Sequence, residues 1–289
     1  MTEESEGEGR RGLGPLISSR KNARIHLARA LTTRRGRKRE DKFLIEGVKV
    51  VKELIDRGVK VELILWKDGF EQRPDAGALL AEARAKGIAS FGVAPALFDE
   101  LVDTETSQGL LAVAPMSWGS LEAALGPVPA DLETAEPRAL VVAAGVQDPG
   151  NLGTILRSAR FLGFSGVACL SGTTDPWSPK VVRASSGALI DSPPVRVDSI
   201  SELAEEGKKR GFKTVALVPR GGTPLEQTTL PRRSLLLLGA EGQGLTTASI
   251  EQADEKVTLL PSDPAAESLN AAMAFGIFAY AWRARWAKA

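Results

Sequence analysis

The chain runs to 289 residues with 43% apolar content, which can bury a sizeable core, and two domains are a better expectation than one at this length. Its single cysteine, Cys169, excludes an intrachain disulfide and a cysteine-rich zinc site, while its single histidine, His26, excludes Ser-His-Asp and Cys-His catalysis and most His-ligated metals. A formal net charge of +1 gives no whole-molecule field that announces a nucleic-acid partner, so any such signal has to be local.

Residues 1–19 are rich in Gly, Ser and Glu without sustained periodicity and are expected to form a disordered tail. There is no apolar stretch of signal-peptide type and no run of transmembrane length, so the expectation is a soluble cytoplasmic protein that does not engage a membrane. Residues 20–42 concentrate ten cations, Arg20, Lys21, Arg24, Arg29, Arg34, Arg35, Arg37, Lys38, Arg39 and Lys42, against only Glu40 and Asp41. Such a cluster suits phosphate contacts and suits a solvated basic arm equally well.

A first α/β domain is placed over 20–115. FLIEG reads as a strand entering a turn, and VKVVKELIDRG as an amphipathic helix with Val48, Val51, Leu54 and Ile55 on one face, closed by Gly58. VELILW is a strand, ALLAEARAKG a helix and GLLAVAP a further strand, an alternation that favours a layered α/β architecture. Residues 116–137, with Pro127, Pro129 and Pro137, are assigned as a linker. A second α/β domain, 138–289, contributes the short apolar strands ALVVAAGV, GVACL, TVALV, SLLLLG and KVTLL. Helices are expected at GNLGTILRSARFLG, SISELAEEGKKRG and the C-terminal SLNAAMAFGIFAYAWRARWA. Strands covered on both faces by helices make a mostly parallel sheet. Cys169, within GVACL, reads as a buried packing residue.

Three segments of this second domain pair an apolar element with a polar turn: DPGNLGTILRSARFLGF at 148–164, LLLLGAEGQGL at 235–245 and LPSDPAAESLNAAMAFGIFAY at 260–280. GNLG lacks the three-glycine spacing of a dinucleotide fingerprint and no GxxxxGK[ST] occurs, which disfavours a dinucleotide-dependent oxidoreductase. Taken residue by residue, each polar group has a plain structural use. Asn151 suits a helix cap, Arg157 a surface salt bridge, Glu241 a turn carboxylate and Ser268 the cap of the last helix, while leucines such as Leu260 and Leu269 suit the core.

In order and spacing, NLGTILRSA, LLLLGAEGQGL and PSDPAAESLNAAMA resemble the three signature motifs of the SpoU-type RNA ribose methyltransferases, the TrmH branch of the knotted methyltransferase superfamily. PKVVRASSGAL at 179–189 resembles the family segment between the first two motifs. DKFLIEGVKVVKELI and TETSQGLLAV, at 104–113, resemble the ribosomal-protein-like substrate-binding domain that often precedes the catalytic one. The resemblance implies a methyl transfer from S-adenosylmethionine to a ribose 2′-hydroxyl of structured RNA, rRNA ahead of tRNA, with no metal. It implies a C-terminal trefoil knot formed over about 235–287 and a homodimer through that domain. It also implies catalytic roles for Asn151, Arg157, Glu241, Ser268 and Asn270, and cofactor binding at Gly239, Leu260 and Leu269.

Because a guanidinium stays protonated, orientation and charge stabilisation fit Arg157 better than literal deprotonation. The chain departs from the family pattern at Ser262, Asp263 and Pro264 and at Ala271 and Ala272, which keeps open a catalytically inactive RNA-binding or ribosome-assembly protein on the same fold. Phe275, Phe278, Tyr280, Trp282 and Trp286 of the last helix supply apolar surface for either core or interface.

Overall fold

The computed structural model describes residues 16–104, 106–263, 265 and 268–286, so residues 1–15 of the expected tail and the Pro264 departure lie outside the described residues. The chain divides into two compact units. The first is the chain up to Met116 with Trp177–Arg183, and the second is Ser117–Pro176 with the chain from Ala184 onward.

The first unit runs α1 (Ala23–Leu31), α2 (Arg34–Glu40), β1 (Lys42–Glu46), α3 (Val48–Asp56), β2 (Leu63–Lys67), α4 (Ala76–Ala85), β3 (Ala89–Val93), α5 (Pro95–Asp99) and β4 (Leu110–Pro115). Its four strands lie in the order β1-β4-β2-β3, with β4 antiparallel to both neighbours and β2 parallel to β3. The apolar face of α1, Ile25, Ala28 and Leu31, joins Leu44, Leu65 and Val113 in one core. Ile17, within the stretch read as tail, is 6% exposed. Its N–H donates to the Gly92 carbonyl at 2.8 Å and its carbonyl accepts from the Ala94 N–H at 2.9 Å, which adds it to the edge of β3.

The amphipathic α3 buries Val51, Leu54 and Ile55 as its spacing predicts, with Val48 half-buried. Its N-cap residue, Gly47 at φ +117°, has no side chain to offer, and the Gln108 Oε1 accepts the Val48 N–H at 3.1 Å in its place. The basic segment is two capped helices rather than an arm. Asn22 Oδ1 accepts from Arg24 N–H at 2.9 Å and Thr33 Oγ1 from Gly36 N–H at 3.1 Å.

The second unit runs α6 (Leu121–Leu125), β5 (Arg138–Ala144), α7 (Pro149–Phe161), β6 (Val167–Leu170), α8 (Pro179–Ser185, shared at the unit boundary), α9 (Ala188–Asp191), β7 (Val195–Val197), α10 (Ile200–Lys208), β8 (Lys213–Leu217), β9 (Thr223–Pro224), β10 (Arg233–Gly239), α11 (Thr247–Glu251), β11 (Glu255–Thr258) and α12 (Ala271–Trp286). The seven strands form one sheet in the order β7-β6-β5-β10-β8-β11-β9, and every pairing is parallel. Leu235 to Leu238 are all buried, as a central strand covered on both faces requires. Chain order reverses between β5 and β10, which pair in register from Arg233 opposite Arg138 to Gly239 opposite Ala144.

Residues 117–137 are not a bare connection. Ala124 and Leu125 of α6 enter the core of this unit. Arg138, Arg210 and Arg233 then bind the carbonyls of Ala123, Ala124, Leu125 and Gly126 at 2.8–3.1 Å. Cys169 is buried as expected, and burial, with the charge of Asp175 adding, pushes its thiol up to about 12, so it stays an inert packing group. In α12, Phe275, Phe278, Ala279 and Trp282 form the buried stripe, with Phe164 edge-on to Phe275 at 5.2 Å. The aromatic supply therefore divides: these residues serve the core, while Tyr280 stays 68% exposed.

Candidate active site

In a parallel sheet the crevice at a topological switch point lies beyond the C-terminal ends of the strands. Here that place is the end of β5 and β10, and the three motif segments meet there. After β10 the chain makes a tight loop closed by paired hydrogen bonds between Ala240 and Gly244, at 3.1 and 2.8 Å, with Glu241, Gly242 and Gln243 at its tip. Gly242 and Gly244 adopt φ +80° and +70°, which the turn requires. At Gly239 a Cβ would fall 2.1 Å from the Gly244 carbonyl carbon, so only glycine permits this closure.

From that loop Glu241 reaches the start of α7. One carboxylate oxygen accepts the Gln147 N–H at 3.1 Å and the other accepts Asn151 Nδ2 at 2.8 Å. Asn151 Oδ1 in turn accepts Asn270 Nδ2 at 2.7 Å. Three segments separated widely in sequence are thus tied by one chain, Glu241–Asn151–Asn270. Burial acts to raise the Glu241 carboxyl, but hydrogen bonds from Asn151 and from the N–H groups of Gln147, Glu241 and Asp148 outweigh it and hold the group below its ordinary value. The carboxylate also sits at the positive end of a 13-residue helix.

Several single-residue readings change on this geometry. Asn151 is not the helix cap. Asp148 is, with Oδ1 accepting Asn151 N–H at 2.8 Å and Pro149 following at the first helical position, a pattern visible in the sequence as Asp-Pro. Ser268 is exposed ahead of the last helix, and the cap of α12 is Asn270, whose Oδ1 accepts the Ala272 and Met273 N–H groups at 2.9 and 3.2 Å. Leu260 and Leu269 are 60% and 52% exposed, so neither is a core leucine.

Arg157 does not join the Glu241 chain. It is exposed on the α7 face that also carries Thr154 and Phe161, and its Nη1 donates to Ser186 Oγ at 3.4 Å. Ser186, at φ +49°, follows α8 in the PKVVRASSGAL segment, a neighbour that sequence reasoning had not named. Gly153 lets α7 lie flush against this segment, since a Cβ there would be 2.3 Å from the Ala184 Cβ. No cluster of His, Cys, Asp or Glu that could hold a metal occurs among the described residues.

The residues fit an S-adenosylmethionine-type ligand. A tight glycine loop offers backbone groups at the strand end, and apolar Leu260 and Leu269 of the third segment stand uncovered.

A model of the SpoU rRNA methylase family matches residues 138–280, and one of the MRM3-like substrate binding domain matches 22–112. The chain is 30% identical over 278 residues to an uncharacterised tRNA/rRNA methyltransferase of Synechocystis, covering 94% of each. It is 30% identical over 264 residues to the 23S rRNA (guanosine(2553)-2′-O)-methyltransferase RlmP of Bacillus subtilis, covering 91% of this chain and 97% of that one. Among solved structures, the SpoU methyltransferase AviRb of Streptomyces viridochromogenes in complex with the cofactor AdoMet aligns with a TM-score of 0.78. The two are 28% identical, with 92% of this chain and 98% of that one covered.

Proposed function

The chain belongs to the SpoU rRNA methylase family, and on that premise we propose that it methylates a ribose 2′-hydroxyl in ribosomal RNA. It is an RNA methyltransferase and its cofactor is S-adenosylmethionine. The observation that carries the site assignment is the Glu241–Asn151–Asn270 chain, which draws the three motif segments together at the switch point of the sheet.

When bound, S-adenosylmethionine supplies an electrophilic methyl group on a sulfonium. The chain's own residues supply alignment. Gly239 with the loop to Gly244, Leu260 and Leu269 hold the cofactor through backbone groups and apolar contact. Glu241 and Asn151 fix the loop that borders it. Arg157, exposed and cationic, binds the RNA backbone, orients the hydroxyl and stabilises the negative charge that builds on it as its proton passes to water. Ser268 and Asn270 border the ribose.

Assembly belongs to the same reading. Met273, Ile277 and Tyr280, at helical spacing on α12, and Phe161 at the end of α7 are 60%, 42%, 68% and 78% exposed. Arg283 of α12 donates to the Phe161 carbonyl at 3.2 Å, so these side chains belong to adjoining elements. An apolar surface of this kind fits a second copy of the chain, and in such a dimer Arg157, on the same α7 face as Phe161, would lie near the partner. The packing of α12 back onto α7 and β10 supports the trefoil knot. Among the described residues no helix is long and apolar enough to cross a membrane. A ribosomal RNA substrate is what supports a cytoplasmic location.

Arg157→Ala tests the assignment. Transfer to in vitro transcribed large-subunit rRNA should fall by about 10²–10³-fold, as for removal of a charge-stabilising donor, while calorimetric S-adenosylmethionine binding and the fold persist. Near-normal turnover would remove Arg157 from the site, and cofactor binding by the wild-type protein without transfer to any RNA would favour the inactive RNA-binding reading.

A further inference from the structure

The ten cations of residues 20–42 are not equivalent in the folded protein. Arg20 and Arg29 both pair with Glu100, the latter at 2.6 Å, and Lys42 pairs with Glu62 at 2.6 Å. Arg24 lies over the Phe91 ring at 3.9 Å, and Arg39 pairs with Glu40 at 2.8 Å. Arg37 is 3% exposed and turned inward, its Nη1 donating to the Leu31 and Thr32 carbonyls at 2.8 and 3.0 Å, where it caps the C-terminus of α1. Among the described residues, Arg34, Arg35 and Lys38 on α2 and Lys21 ahead of α1 have no carboxylate partner.

Beyond its Thr33 cap, the helix that carries three of these four has little local reason to form. Its sequence, RRGRKRE, contains a glycine and no apolar residue, and its like charges at i, i+4 repel. It is held by its junction with α1. The inward Arg37 is one anchor. Gly36 is the other, because a Cβ there would lie 1.9 Å from the Ala30 carbonyl oxygen, so the two backbones touch. Thr33 closes the elbow, its Oγ1 donating to the Ala30 carbonyl at 2.9 Å while accepting the Gly36 N–H. A locally unfavourable element kept in place by dedicated contacts marks a functional surface more often than a passive one. What these contacts fix is a pair of cationic ridges, Arg34 above Lys38 and Arg35 above Arg39, one helical turn apart.

We propose that the exposed face of α2, through Arg34, Arg35 and Lys38, is a preorganised phosphate-binding surface that docks the RNA substrate, with Arg20, Arg24, Arg29 and Arg37 reserved for building it. The inference rests on the RNA-methyltransferase reading and adds to it the residues that read the backbone. Because the contacts are to phosphate, they carry affinity without sequence preference.

The test compares the full-length wild-type protein with Arg34→Ala/Arg35→Ala/Lys38→Ala and with a charge-matched control, Lys60→Ala/Lys209→Ala/Lys213→Ala, whose lysines are paired with Glu62, Glu206 and Glu255. A labelled stem-loop RNA is titrated across a salt series, and rRNA methylation and S-adenosylmethionine binding are measured in parallel. The α2 variant should bind the stem-loop about tenfold or more weakly at 0.1 M salt, with the slope of log K against log salt shallower by about 2 for three lost contacts. Its KM for RNA should rise while kcat at saturation, cofactor affinity and unfolding midpoint stay at wild-type values; the control should match the wild type. An unchanged slope in the α2 variant, or an equal loss in the control, overturns the proposal while leaving the methyltransferase reading intact. A wild-type protein that binds S-adenosylmethionine but methylates no RNA overturns the reading on which it rests.

Discussion

The two units leave different chemistry uncovered. In the first, Arg34, Arg35 and Lys38 on α2 stand exposed without a carboxylate partner among the described residues, and its one large hydrophobic exposed to a comparable degree among the described residues is Val59, at 36%. In the second, Phe161, Leu260, Leu269, Met273, Ile277 and Tyr280 stand between 42% and 78% exposed. Charge attracts a polyanion over a Debye length and fades with salt, whereas apolar area acts at contact and is insensitive to it. On the readings proposed above, the same chain carries a salt-dependent surface for a large, charged partner and a salt-insensitive one for a small cofactor and a second copy. Each should be breakable without the other.

The largest separation should come from Gly239→Ala. The added Cβ meets backbone rather than a flexible side chain, so the loop to Gly244 has to open, and S-adenosylmethionine binding by calorimetry should be lost. Stem-loop binding should remain, with a stability cost of about 1–3 kcal/mol from overpacking, read by thermal unfolding. Retained cofactor affinity would move the pocket elsewhere.

Next in size is Ile277→Asp/Tyr280→Asp, which puts two charges into the exposed stripe of α12. The proposed dimer of the wild-type chain should be seen in sedimentation and persist at 1 M salt, to within the precision of the method, and the variant should run as a monomer at about micromolar concentration. A wild-type dimer that dissociates with salt would show the assembly to be electrostatic and erase the contrast between the units.

The smallest effect is that of pH on Glu241. Its carboxyl lies below the ordinary 4.5 in the folded protein, so its contribution is present above that value and is lost as pH falls through the lower folded value. Wild type and Glu241→Gln should accordingly differ in cofactor affinity at pH 7 and converge in acid, with no change between pH 6 and 8. A difference that titrates near neutrality would assign the dependence to another group.

Much of the second unit is legible in the sequence because its strands are continuous apolar runs, which a sheet covered on both faces demands. The short β7 and β9 and the mixed-pattern β3, ASFGV, are not, since two to five residues without alternation carry little period. α2 is illegible for a different reason: it is stabilised by Gly36 and Arg37 against another helix, and no periodicity records a backbone contact. At the site, the motif positions can be named, but not what Asn151 does. Its partners lie 90 and 119 residues away, and an asparagine near a helix start looks like a cap until Asp148 is seen to occupy that place. Likewise a leucine is assigned to the interior by default, and only the fold shows Leu260 and Leu269 facing outward.

Asn270 uses one end of its amide to hold Asn151 and the other to receive the first N–H groups of α12. A ligand that draws Asn151 aside changes the tether on that amide and so the fraying of the helix behind it. Deuterium uptake at the Ala272 and Met273 N–H groups should therefore change when the site is occupied.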